Sequence, residues 1–296
     1  MLLERSHQLD ALVAALGAAR AGSGRLVIVG GEAGVGKTAL VREFCSQESS
    51  ARVLHGACDA LFTPSPLGPL LDVAEQVGGG LAELVAREAR PHAVAAELLH
   101  ELQAAKPTIL VLEDVHWADE ATLDVLRLLG RKVESVPAVV VATYRDDELD
   151  RAHPLRIVLG GLASQGILRL GLRPLSEGAV AELAAPHQID PEELHRKTGG
   201  NPFYITEALA AGEDVIPATV RDAVLARAAR LGASARTVLD SVAVMTPRAE
   251  LWLLEELAGE AVGHVEECLA SGMLVTEGEA VGFRHELARL AVEEHV

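Results

Sequence analysis

The stretch from Arg25 to Thr38, RLVIVGGEAGVGKT, constrains the fold of this chain more than any other. An apolar run, Leu26 to Val29, enters a glycine-rich turn, and the chain leaves it through Lys37 and Thr38 into a segment with Leu40, Val41 and Phe44 on one helical face. The order is strand, loop, helix, and it meets the pattern G-x-x-x-x-G-K-[ST] at Gly31, Gly36, Lys37 and Thr38. Glycines let the backbone N–H groups between Gly31 and Ala39, those of Gly34, Val35 and Gly36 included, curl inward around phosphate oxygens. The helix that begins there adds unpaired N–H groups and the positive end of its dipole. Lys37 is then placed to neutralise β and γ phosphates, and the Thr38 hydroxyl to hold Mg²⁺. A plain turn with a solvated lysine is the alternative, but it does not require the apolar strand before the loop and the helix after it.

The rest of the chain repeats that alternation. Residues 3–20 carry Leu9, Leu12, Val13 and Leu16 at helical spacing, and Ala21 to Gly24 break the helix. ARVLHGA at 51–57 reads as a second strand. Thr63 to Pro66 punctuate the chain, and helices broken at Gly78 to Gly80 follow. The continuous apolar run at 108–112, ending in Glu113-Asp114, reads as a buried parallel strand. A helix at 119–132, a buried strand at 137–143, a helix near 154–164 and a strand at 166–172 complete an α/β region. After Pro174 the pattern changes to short helices, opened by Ser176, by Asp190-Pro191 and by Asn201-Pro202. From Pro217 come helices near 218–231, 234–244 and 261–271, then strands at 273–276 and 280–284. The expected division is a phosphate-loop α/β domain at 1–172, a helical lid at 173–213 and a winged-helix domain at 214–296.

Charge and cysteine usage narrow the function classes. A formal net charge of −17 over 296 residues argues against gripping a polyanion along the chain, whereas one nucleotide needs only a local positive pocket. Three widely spaced cysteines, Cys45, Cys58 and Cys268, suggest neither a disulfide framework nor a zinc site. No secretory leader or membrane span is evident, so the expectation is a cytoplasmic protein.

Glu113-Asp114 would form the second half of the phosphate site. One carboxylate there is suited to hold Mg²⁺ with Thr38, and its neighbour to activate water for attack on the γ phosphate. Arg145, just past the following strand, either contacts the γ phosphate or pairs on the surface with Asp146 or Asp147. The histidines show no i,i+4 pair, and Trp117 and Trp252 read as core packing.

With these pieces in order, the chain resembles the nucleotide-binding module of the STAND class of P-loop ATPases. Its closest likeness is to the ATPase part of large LuxR-type bacterial transcriptional regulators akin to the maltose regulator. The likeness rests on Glu4-Arg5, GEAGVGKT, LVLEDVHWADEATLDVL, ATYRDDE, TGGNPFYITE and FRHELARLAV. It implies that Arg5 lies over the base and sugar, that Pro202 in Gly200-Asn201-Pro202 touches adenine, and that His285 reaches the β phosphate in an ADP-bound closed state. Glu113 departs from the aspartate usual at the first acidic position, which leaves the division of labour between Glu113 and Asp114 open. Such regulators usually continue into inducer-sensing repeats and a DNA-binding helix-turn-helix, so the sequence reads as a shortened form that meets DNA only through a part not included. From Asp214 to Val296 fourteen acidic residues face seven arginines and no lysine, so the expected winged helix is not itself a DNA reader.

The expected activity is an ATP/ADP switch with slow hydrolysis that resets it, Mg²⁺ as cofactor, an ATP-favoured self-associating form and an inducer that the sequence does not name. A continuously cycling AAA+ motor and a non-hydrolysing nucleotide-bound scaffold are the alternatives.

Overall fold

The computed structural model describes residues 2–60, 65–104, 107–150, 152–162, 166–212, 215–245 and 248–296. The expected punctuation at Thr63-Pro64 and the expected boundary at 213/214 lie outside the described residues. The chain forms two compact units, one of Met1–Gly31 with Gly36–Leu172 and the other of Glu32–Val35 with Arg173–Val296.

The first unit is built on five parallel strands, β1 (Arg25–Gly30), β2 (Arg52–Ala57), β3 (Thr108–Glu113), β4 (Ala138–Tyr144) and β5 (Ile167–Gly171). Their order across the sheet is β2-β3-β4-β1-β5. Among the described residues, seven α-helices accompany them: α1 (Ser6–Arg20), α2 (Lys37–Gln47), α3 (Gly68–Val77), α4 (Gly79–Ala86), α5 (Pro91–Ala104), α6 (Glu120–Lys132) and α7 (Pro154–Gly161). Leu26 to Val29, Ile109 to Leu112 and Ala138 to Ala142 are buried without alternation, as strands covered on both faces require. Leu110, Val140, Leu126, Leu129 and Leu98 belong to one continuous aliphatic core. Each such side chain contributes roughly 1.5–3 kcal/mol on burial. The start of α6 is fixed by Asp119, whose carboxylate accepts from the N–H groups of Ala121 and Thr122, and also from Leu67.

The second unit has three short capped helices, α8 (Glu177–Ala184), α9 (Pro191–Thr198) and α10 (Pro202–Ala211). Ser176, Asp190 and Asn201 cap them as the sequence suggests, each accepting a hydrogen bond from an N–H of the first turn. Then come α11 (Ala218–Ala228), α12 (Ala233–Val244), β6 (Ala249–Glu250), α13 (Leu251–Ala258), α14 (Val265–Ala270), β7 (Leu274–Glu277), β8 (Ala280–Phe283) and α15 (Glu286–Glu293). The strands make an antiparallel sheet in the order β6-β8-β7. A core of Val220, Leu239, Val242, Leu254, Cys268, Leu274 and Ala291 holds these elements together.

Two expectations need correction. The helix expected at 261–271 begins as a 3₁₀ turn over Gly259–His264, where two glycines interrupt it, and only Val265–Ala270 is α-helical. Trp252 is not core: it is 62% exposed on α13, and its indole N–H bonds the Glu250 carboxylate. Glutamates at 250, 255 and 256 keep that helix at the surface.

Candidate functional site

Because the strands of the first unit are parallel, their carboxyl ends share one edge, where β1 delivers Gly30, β3 delivers Glu113 and β4 delivers Tyr144. The loop leaving β1 enters α2 through Gly36, which has φ +100° at the N-cap position. A side chain there would be strained, so glycine is what the turn requires. Lys37, the first residue of α2, is buried, and its Nζ donates to the Gly31 carbonyl oxygen at 2.7 Å. Burial pushes its ammonium below the ordinary lysine range and the Arg145 charge adds to that, while Asp114, Asp147 and Asp146 act the other way. A desolvated cation beside a helix N-terminus favours an anion.

The Thr38 hydroxyl donates to Glu113 Oε2 at 3.0 Å, across 75 residues of sequence. Glu113 Oε1 also lies 3.4 Å from His55 Nε2. A hydroxyl and a carboxylate so close form a hard-oxygen pair that fits Mg²⁺, which takes one or two protein oxygens and fills its octahedron with water and phosphate. Asp114 has φ +54°, a left-handed backbone that costs a non-glycine residue of order 1–3 kcal/mol. Its N–H donates to Thr143 Oγ at 3.0 Å, which helps hold that turn. Burial, reinforced by Glu113, pushes the Cys45 thiol up to about 11, which disfavours its thiolate.

Arg145 sits in a cage. Its Nη1 bonds Glu148 Oε1 at 2.6 Å, and its guanidinium stacks 4.3 Å above the Trp117 ring. Its Nη2 lies 3.8 Å from Asp114 Oδ2. The Trp117 indole N–H donates to Glu148 Oε2 at 3.2 Å, and the Arg145 backbone N–H donates to His116 Nδ1 at 3.4 Å. His116 is buried beside both Asp114 and Glu148. Trp117 therefore packs on the core as expected and also serves as a platform for a cation.

In the second unit, Asn201 is fully buried; its Nδ2 donates to Glu32 Oε1 at 2.7 Å and to the Ala33 carbonyl at 2.8 Å. Its Oδ1 accepts from Phe203 N–H, which also donates to the Gly34 carbonyl. Gly34 has φ +80°, and a Cβ there would sit 2.7 Å from Phe203 Cβ and 2.8 Å from Asn201 Oδ1. His285 precedes α15 at its N-cap position without a side-chain cap bond, its Nε2 3.5 Å from Glu32 Oε2 and its ring 4.8 Å from Tyr204. Burial alone would raise the Glu32 carboxyl, but His285, Asn201 and Arg284 outweigh it and hold it below the ordinary range. Pro202 opens α10 half-buried, beside the residue that makes these bonds. Arg5 is buried at the start of α1, donates to the Glu4 carbonyl at 3.1 Å, and is pushed down by burial against the pull of Glu4.

The structure thus joins Lys37, Thr38, Glu113, Asp114 and Arg145 along one sheet edge. Sequence reasoning missed Glu32, Asn201 as a ligand of the loop tip, His116 and Glu148. Glu32 occupies an unspecified position of the glycine motif, and nothing local marks Glu148 as the partner of Arg145. Among the described residues, no group of three or more His, Cys, Asp or Glu is placed to hold a metal, and no helix is long and apolar enough to cross a membrane.

Residues 1–142 match the AAA ATPase domain family. Among solved structures, the Walker-type ATPase of Pyrococcus abyssi superposes with a TM-score of 0.66 at 14% identity, covering 98% of this chain and 96% of that one. The ORC2 protein of Aeropyrum pernix, in its ADPNP and ADP complexes, superposes with a TM-score of 0.60 at 13% identity over 99% and 94%. The ORC1 protein of the same organism, in complex with DNA, gives 0.55 at 18% identity over 99% and 92%. At such identities the likeness is one of fold, that of P-loop ATPases. An uncharacterized protein of Rhizobium meliloti (strain 1021) is 27% identical over 97% of this chain, and the chain spans about a third (34%) of that relative's length.

Proposed function

We propose that this chain is an ATP/ADP-binding switch module of the STAND type, in the manner of the LuxR-type regulators it resembles. The observation that carries the reading is the Thr38–Glu113 hydrogen bond at the base of the glycine loop that holds Lys37. It supports a nucleotide whose phosphates lie on the loop N–H groups and Lys37, with Thr38 and Glu113 holding Mg²⁺, which would supply charge neutralisation for the β and γ phosphates. Asp114 then orients and deprotonates the attacking water, and its strained backbone fits such a role. Hydrolysis is slow and resets an ATP-favoured self-associating form to an ADP-bound monomer. Arg5 and Pro202 take the base and sugar, and His285 answers the β phosphate. The partition into a core at 1–172, a lid at 173–213 and a winged helix at 214–296 belongs to the same proposal, as does a role in transcriptional control.

The test is calorimetric titration of wild type and Lys37→Ala with MgATP and MgADP. Removal of the buried cation should weaken both nucleotides on the order of a hundred-fold or more. Unchanged affinity would end the nucleotide reading. Turnover then separates the mechanisms: slow hydrolysis with retained ADP supports the switch, and rapid cooperative hydrolysis a motor.

A further inference from the structure

Arg145 follows β4, the strand paired with β1 in a register that sets Tyr144 opposite Gly30. Its charge is felt at Lys37, and its Nη2 faces Asp114. The guanidinium therefore borders the place a terminal phosphate would take, yet its other nitrogen is already bound to Glu148 at 2.6 Å. Glu148 is held in turn by the Trp117 N–H, and both are flanked by buried His116. A carboxylate bound to one guanidinium nitrogen satisfies the geometry that a phosphate oxygen satisfies, and it cancels the charge that would attract one.

We propose that Glu148 and Trp117 are positioning residues that set the ATP-over-ADP discrimination of this site, Glu148 standing in on Arg145 for the γ phosphate and Trp117 supplying the face on which the guanidinium rests. The proposal rests on the nucleotide-binding reading above. ATP has to displace the carboxylate to gain Arg145, whereas ADP, lacking the γ phosphate, leaves the pair intact. The chain's affinity ratio is thus lowered by a residue that touches neither nucleotide.

Glu148→Gln keeps the length and one acceptor oxygen but removes the charge, so a merely structural role would be nearly preserved. Glu148→Asp keeps the charge and shortens the arm. Trp117 provides a spectroscopic readout once the exposed Trp252 is replaced by phenylalanine, since a stacked cation alters indole emission. Affinities for MgATP and MgADP and Trp117 emission are measured in the Trp252→Phe background. Loss of a partly buried ion pair gives the scale: Glu148→Gln should tighten ATP about three- to ten-fold and leave ADP within about two-fold. Glu148→Asp should keep the starting ratio within about two-fold. Emission should change on adding ATP but not ADP. An unchanged ratio in Glu148→Gln, weaker ATP binding, or an aspartate variant more perturbed than the glutamine variant would overturn the proposal. Failure of the parent protein to bind either nucleotide would instead end the nucleotide reading, and this inference with it.

Discussion

The two halves of the candidate machinery are assembled by different means. In the first unit, residues from β1, β3 and β4 meet because a parallel sheet delivers every strand's carboxyl end to one edge. Thr38 and Glu113 meet there although 75 residues separate them. In the second unit, Asn201 and His285 meet Glu32 because short capped helices and the turn before α15 aim single side chains at one carboxylate. The first arrangement follows from strand order. The second depends on individual hydrogen bonds, so removing one partner leaves a buried group unsatisfied. The chemistry of charge neutralisation should therefore fail by function at the sheet edge and by altered state preference in the second unit.

The largest effect that tests this contrast is on hydrolysis. Asp114→Asn keeps the shape of the turn, including the N–H donated to Thr143, but loses the group that on the proposed reading accepts a proton. Turnover should fall about 10²- to 10⁴-fold while MgATP affinity changes little. A phosphate-release assay with parallel titration checks it. If Asp114→Asn binds ATP poorly and Glu113→Gln binds but does not turn over, the two acids have exchanged roles.

The difference between the halves also governs what could be read from the sequence. Unbroken apolar runs announced β1, β3 and β4, since strands buried on both faces carry no alternation to confuse the reading. The motif spacing placed Lys37 and Thr38 directly. Arg145 was legible by position but its partner was not, because Glu148 meets it through a turn whose geometry no short pattern encodes. Asn201-Pro202 read as a helix start, which it is, and the cap residue turned out also to hold the loop tip. Beyond α12, propensity ran out of force: α13 is rich in glutamate and leucine without a clear stripe, and Gly259 and Gly263 cut the next helix short.

A smaller effect is expected from His285→Ala. The change removes the group facing Glu32 Oε2 and, on the proposed reading, a charged hydrogen bond to the β phosphate. Such a bond is worth about 1.5–3 kcal/mol, so MgADP should weaken roughly ten- to a hundred-fold. MgATP binding should barely change if the contact belongs to the ADP form alone. Equal loss of both nucleotides, or loss of neither, would assign His285 a packing role against Tyr204.

The smallest effect should appear in the pH dependence of stability, and it belongs to the second unit alone. The groups facing Glu32 are His285, Arg284 and the Asn201 amide, and together they hold its carboxyl below the unfolded value despite burial. A carboxyl depressed in the folded state contributes stability fully above its unfolded pKa, about 4.3 for glutamate. That contribution is lost as the pH falls through the lower, folded value. Glu32→Gln removes the titration while keeping an amide oxygen that can still accept from Asn201. Wild type should therefore exceed Glu32→Gln in stability by a constant margin at neutral pH, and the margin should close as the solution is acidified below the ordinary carboxylate range. Urea titrations of both proteins at a series of pH values measure the margin. A difference that stays flat through the acid range would show that Glu32 is held by its neighbours as a shape and not as a charge.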